Sequence, residues 1–120
     1  MNALILFAHG SRDPAWAAPF RAIQRKVSEK KPGLAVELAF LEIMEPSLPE
    51  IAERLVAAGA TKLTIAPLFM AHGAHLKKDL AEMLSTLKDR HPRIEVAVLP
   101  VLGEADTVLL AISEWLAGHD

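Results

Sequence analysis

Apolar and polar positions follow two different rhythms along this chain. Ala3–Ala8 is an unbroken apolar run that stops at His9. Trp16, Phe20, Ile23 and Val27 then recur at the spacing of one helix face. Asp13 before Pro14 predicts where that helix starts, an N-cap acceptor ahead of a proline suited to the first turn. Pro32-Gly33 predicts where it stops. Leu34–Leu41 reads as a second strand, with Val36, Leu38 and Phe40 on one face. Ser47 with Glu50 fits a capping box, and Ile51, Leu55 and Ala58 continue at helical spacing to Gly59. Lys62–Leu68 is the third strand. A helical stripe follows at Leu76, Leu80, Met83, Leu84 and Leu87, closed by His91-Pro92. Ile94–Leu99 is the fourth strand, and Val108, Ile112, Trp115 and Leu116 mark a last helix that ends near Gly118.

The order is therefore βαβαβαβα. Strands separated by helical crossovers predict an α/β fold with a four-stranded parallel sheet and helices on both faces. Right-handed crossovers prune the topologies, and 2-1-3-4 is the strand order expected among those that remain. In that order the first and third strands lie side by side and the chain winds outward both ways. A crevice then opens beyond their carboxyl ends, where ligands bind in such sheets. The length, 120 residues, predicts a single domain over 1–120. A hydrophobic share of 52% and a charged share of 23% belong to a chain with a packed core and exclude disorder.

Composition removes several function classes. Thirteen Lys and Arg against fifteen Asp and Glu give a formal charge of −2, so no basic excess exists to bind nucleic acid. With no cysteine, disulfides, thiolate metal sites and cysteine nucleophiles are excluded. The first residues lack the positive start of a signal peptide, and their apolar run is too short to cross a bilayer. A cytoplasmic protein without membrane contact is the expectation.

The chemistry-bearing residues cluster at the predicted carboxyl ends. His9 follows strand one, Glu42 strand two, His72 and His75 strand three, and Glu104 strand four. Loop residues at the mouth of a parallel sheet are where this architecture keeps its function. Ser11 reads as turn chemistry. Arg12 is a cation in the same turn, and Lys77 and Lys78 flank His75 at the start of a helix. His91 reads as a cation at a helix C-terminus and His119 as part of a solvated tail. His9, Glu42 and His75 together make a His/His/carboxylate set, with His72 either a further ligand or an exposed loop residue. Such a set suits Co(II), Fe(II), Ni(II) or Zn(II) and leaves positions open on the ion. No phosphate-binding GxxxxGK[ST] loop, GxGxxG, HExxH or GxSxG occurs. Ala8 stands where a histidine phosphatase carries arginine. Met44, Met70 and Met83 read as core or gap filling.

Three blocks resemble one family in order and spacing. They are Leu6-Phe7-Ala8-His9-Gly10-Ser11-Arg12-Asp13; Phe40-Leu41-Glu42 with Glu45-Pro46-Ser47-Leu48-Pro49-Glu50; and Ala66-Pro67-Leu68-Phe69 leading to Gly73-Ala74-His75-Leu76-Lys77-Lys78-Asp79-Leu80. Together they resemble the small sirohydrochlorin chelatases, class II tetrapyrrole chelatases. The resemblance implies a lyase that inserts a divalent metal, Co2+ foremost and Fe2+ or Ni2+ next, into sirohydrochlorin without ATP. It implies a place in cobalamin- or siroheme-type biosynthesis and no cofactor beyond the metal substrate. A one-lobe chain of this kind is implied to act as a homodimer with a cleft between subunits. Position by position, His9 matches the first family histidine, Glu42 the family glutamate and His75 the second histidine. The two histidines would deliver metal or take up pyrrole protons, while Arg12, Lys77 and Lys78 would meet the carboxylates of the macrocycle. The chain departs from the family at Ala74, where a second glycine is common, and at Ala81, where proline often stands. The residues by themselves also allow a non-catalytic metal-binding or trafficking module. They allow less readily a metal-dependent phosphoesterase, because no aspartate cluster accompanies His9.

Overall fold

The computed structural model describes residues 1–119. Four parallel strands, β1 (Asn2–Ala8), β2 (Ala35–Phe40), β3 (Lys62–Pro67) and β4 (Glu95–Val98), form one sheet in the order β2-β1-β3-β4. Helix α1 (Ala18–Lys30) follows a 3-10 turn at Pro14–Ala17. Helices α2 (Leu48–Ala57) and α3 (Ala74–Arg90) make the next crossovers, and α4 (Asp106–Ala117) follows a second 3-10 turn at Leu102–Glu104. Among the described residues no helix is long and apolar enough to cross a membrane.

β1 is apolar at every position from Ala3 because it lies inside the sheet and is covered on both faces. Ala3, Ile5 and Phe7 face one way, into a core shared with Leu63 and Ile65 of β3 and with Ile51, Leu55 and Leu87 of α2 and α3. Leu6 and Ala8 face the other way, with Val36, Leu38 and Phe40 of β2, and pack under Trp16 and Phe20. Phe7, Phe40, Ile5, Leu63 and Ile65 are the largest fully buried side chains. Each such burial is worth about 1.5–3 kcal/mol, so the two layers hold the strand ends firmly.

The punctuation read from sequence acts as expected, shifted by a residue or two. Asp13 caps the 3-10 turn, accepting from the Ala15 N–H at 3.0 Å, and the Asp13 N–H donates to Ser11 Oγ at 3.1 Å. Ser47 Oγ accepts from the Glu50 N–H at 3.3 Å and opens α2. Gly59, at φ 103, takes the left-handed conformation that ends that helix.

The order β2-β1-β3 puts a reversal point at the carboxyl end of β1. There the Phe7 carbonyl accepts from Leu68 on the β3 side at 2.8 Å. The next carbonyl, that of Ala8, accepts from Leu41 on the β2 side at 2.8 Å. Chain leaving β1 must pass between two diverging neighbours, and His9 is the first residue to do so.

Candidate active site

Each site residue takes its place from backbone geometry. The His9 carbonyl accepts from the Glu42 N–H at 3.1 Å, which carries the β1–β2 pairing one step past the strands. Gly10 follows at φ 99, and a Cβ there would stand 2.0 Å from the Glu42 carbonyl oxygen. Only glycine permits both the left-handed backbone and that approach. On the other side the Glu42 carbonyl accepts from the Met44 N–H at 2.7 Å, a three-residue turn with Ile43 at φ 69. A β-branched residue in the left-handed region is strained by roughly 1–3 kcal/mol, a cost that clusters at functional sites. The Ile43 side chain is exposed, so no burial of its own offsets that strain.

These constraints aim two side chains at each other. His9 Nε2 and Glu42 Oε1 stand 2.8 Å apart, with both side chains more than half exposed. The Phe69 ring meets the imidazole edge-on at 6.3 Å and is itself held edge-on by Phe7 at 5.7 Å. The pair is thus walled on its β3 side and open to water above.

The other candidates lie nearby but apart. His72 sits before α3 with its Nε2 3.4 Å from Glu104 Oε1. His75 is the second residue of α3, its side chain 96% exposed, with Nε2 3.9 Å from Asp79 Oδ2 one turn on. Among the described residues no three His, Asp or Glu side chains come close enough to hold one ion. The structure therefore brings His9 and Glu42 together and leaves His75 outside that pair. Arg12, Lys77 and Lys78 are exposed, and among the described residues none forms an ion pair. A hollow of about 380 Å³ lies beyond the ends of β3 and β4, lined by Phe69, His72, Leu76, Lys77 and Glu104 among others. A larger one, about 730 Å³, lies between α2 and α3 and is lined by none of the candidate residues.

His91, read as a helix-end cation, is the residue that caps α3. Its Nε2 lies 2.8 Å from Glu53 Oε2, while Arg90 Nε donates to Glu53 Oε1 at 2.8 Å. The hydrogen bond from His91 is the main influence holding the Glu53 carboxyl below its ordinary range; burial comes next and opposes it, and the hydrogen bond and charge of Arg90 add to the lowering. His119 lies edge-on to Trp115 at 6.0 Å. Sequence reasoning missed two features of the rim. One is Phe69 as the wall beside His9, which is legible only as an aromatic just past strand three. The other is the 3-10 turn that carries Glu104 to His72, which no periodicity announces.

Comparison with known proteins agrees with the fold. The CbiX family model matches residues 3–117. A sirohydrochlorin cobaltochelatase of Methanococcus aeolicus is 36% identical over 88 residues, 73% of this chain and 62% of that protein. A crystal structure described as a cobalamin (vitamin B12) biosynthesis CbiX protein, from Marinobacter aquaeolei VT8, superposes with a TM-score of 0.84 at 30% identity. It covers 98% of this chain and 96% of its own. The sirohydrochlorin chelatase SirB of Bacillus subtilis subspecies spizizenii, solved in complex with cobalt, gives a TM-score of 0.75 at 26% identity. There 98% of this chain matches 50% of that one. The chain thus spans under two thirds of the length of the Methanococcus aeolicus relative and half that of SirB. With the family model running almost end to end over a sheet of the same topology, the chain belongs to the CbiX family.

Proposed function

We propose that this chain inserts a divalent metal ion into sirohydrochlorin without ATP, acting as a cytoplasmic homodimer with the macrocycle between two copies. The observation that carries the reading is the His9–Glu42 pair, 2.8 Å apart and open to solvent, at the reversal point of a CbiX-family sheet.

The pair suits the chemistry. Insertion replaces two pyrrole protons by a metal ion, so the site must hold the ion loosely and accept protons. When Nε2–H of His9 donates to Glu42, the lone pair of Nδ1 is left available. The carboxylate fixes the ring and its tautomer, as carboxylate partners do for metal-binding histidines. His75, on the exposed first turn of α3, is the second imidazole, which delivers metal or takes the second proton. His72, already against Glu104, is left outside the set. One or two imidazoles and a carboxylate leave most positions on the ion open, so the macrocycle nitrogens complete the coordination and draw the metal away. Co2+ is the first metal expected, because donors of this kind accept Co2+, Fe2+ and Ni2+ alike and the cobalt relatives tip the choice. Arg12, Lys77 and Lys78, uncommitted to other carboxylates, are the cations for the side-chain carboxylates of the substrate.

The test is the absorption change of sirohydrochlorin with Co2+ and purified protein. The wild-type chain should accelerate insertion. His9→Ala and His75→Ala should slow it by roughly 100-fold or more, the scale of losing a group that moves protons, with unchanged circular dichroism. Wild-type rates in His75→Ala would remove that residue from the mechanism. Metal binding with no acceleration in the wild type would make the protein a metal carrier instead.

A further inference from the structure

Two large apolar side chains flank the His9–Glu42 pair and meet water. Ile43 directly follows Glu42 and is 60% exposed, and Met70 directly follows Phe69 and is 55% exposed. In the order β2-β1-β3, Ile43 comes after the strand on one side of His9 and Met70 after the strand on the other. Strand ends two places apart are separated by about 10 Å. A planar tetrapyrrole bridges a span of that size, and a single ion or a small acid does not.

Neither side chain owes its exposure to loose backbone. The turn in which the Glu42 carbonyl accepts from the Met44 N–H at 2.7 Å closes across Ile43 and holds it at φ 69. On the other side the Phe69 carbonyl accepts from the Leu102 N–H at 2.8 Å. A Cβ on Gly103 would stand 1.9 Å from the Met70 carbonyl oxygen, so the chain crosses there in close contact. The neighbours of the two residues are tucked in. Met44 packs against the layer of Leu38 and Phe40, and Phe69 packs against the core beside Phe7. The chain thus buries one side chain at each place and leaves the adjacent one in water.

At Ile43 this arrangement works against the fold. A β-branched side chain is the poorest fit to the left-handed region, where asparagine or glycine sits at little cost. Strain of this kind collects at ligand clamps, where a contact made with the ligand justifies what the free chain does not.

We propose that Ile43 and Met70 carry one face of the macrocycle, one on each side of His9, so that the centre of the ring comes over the imidazole. The inference rests on the chelatase reading and assigns what recognises the ring itself, as distinct from its carboxylates. The face of a tetrapyrrole is apolar and the edge of this one is anionic. Ile43 and Met70 suit the face, as Arg12, Lys77 and Lys78 suit the edge. The two supports differ in kind. Ile43 is stiff at χ1 and sets a fixed height beside Glu42. Met70 is unbranched, and its polarizable thioether conforms to a conjugated plane.

The test uses Ile43→Asn and Met70→Gln, polar side chains of similar size, beside Ile43→Val and Met70→Leu, which keep the apolar contact. Sirohydrochlorin affinity is read by absorption titration without metal, and KM and kcat are read for Co2+ insertion. Loss of a few methylene contacts should weaken sirohydrochlorin binding about ten-fold in each polar variant, while Ile43→Val and Met70→Leu stay near wild type. KM should move more than kcat, as for a contact made equally in the ground state and the transition state. The affinity of the free protein for Co2+ should not change. Ile43→Asn should also raise the urea midpoint, because asparagine relieves the left-handed strain. A lowered midpoint would mean that Ile43 serves the fold. Unchanged sirohydrochlorin affinity in either polar variant overturns the two-sided support and leaves the chelatase reading standing. A loss of Co2+ affinity in Ile43→Asn as large as its loss of sirohydrochlorin affinity would mean that Ile43 acts by placing Glu42, and it overturns the ring contact. A wild-type chain that neither binds sirohydrochlorin nor accelerates insertion overturns this inference and the chelatase reading together.

Discussion

Two His–Glu pairs of equal length stand at opposite ends of this molecule. At the carboxyl ends of β1 and β2, His9 and Glu42 are 2.8 Å apart. Before the amino end of β4, His91 and Glu53 are also 2.8 Å apart. Distance does not distinguish them, but surroundings do. Glu53 receives Arg90 on its other oxygen, and His91 is three-quarters buried against α2, so that pair ties two helices and has nothing left to offer. Glu42 has one oxygen without a protein partner among the described residues, and its imidazole faces water. The first pair is held by a left-handed glycine and a strained left-handed isoleucine; the second hangs from two regular helices. Strain at one end and ease at the other are why the first pair, not the second, is proposed for the chemistry.

The comparison breaks most severely at Gly10. Gly10→Ala meets the Glu42 carbonyl and must also hold a left-handed backbone, which alone costs roughly 1–2 kcal/mol. The variant should lose stability by at least about that much in urea, and metal insertion should fall below detection, because Glu42 cannot stay where it is. A Gly10→Ala protein with the wild-type denaturation midpoint and normal turnover would mean that this crossing does not set the pair.

A smaller effect sharpens the contrast between the two acids. Glu42→Gln removes the charge that orients His9, and such substitutions cost about 10–100-fold in metal affinity or activity. Glu53→Gln, at the far end, should leave the insertion rate within about two-fold of wild type. Side-by-side rates with one sirohydrochlorin preparation decide it. Equal losses would show that both pairs act through the fold rather than one through the metal.

Much of this layout was legible before any coordinates. Ala3–Ala8 announces an interior strand because a parallel sheet buries both faces, and the four runs with four stripes leave little choice of architecture. His9 and Glu42 could be named because each directly follows a strand, where position along the chain and position in space coincide. His75 could be named only as a candidate. It stands past a loop whose path follows from Phe69, Met70 and Gly103 meeting the turn after β4, and such long-range backbone contacts leave no period in the sequence. The last helix shows the same limit. Val108, Ile112, Trp115 and Leu116 read as a stripe made for burial, yet of these only Val108 and Ile112 are even half-buried. Periodicity reports that a face is apolar, not what lies against it.

The mildest prediction concerns acid stability at the structural pair. Glu53 has its folded-state pKa lowered, mainly by the hydrogen bond from His91 and then by Arg90. A depressed carboxyl contributes stability that is fully present above its unfolded value, about 4.3 for glutamate, and is lost as pH falls through the lower folded value. Glu53→Gln removes that contribution. Wild type should therefore exceed the variant in urea midpoint at pH 7 by a small margin, as befits a solvent-screened carboxyl, and the two curves should converge below pH 4. His9→Ala should change the same profile little, because the rim pair is open to water and ties no helices together. A gap between wild type and Glu53→Gln that widened in acid would reverse the assigned direction. The helix-tying role of Glu53 would then have to come from packing of its aliphatic stem instead of from its charge.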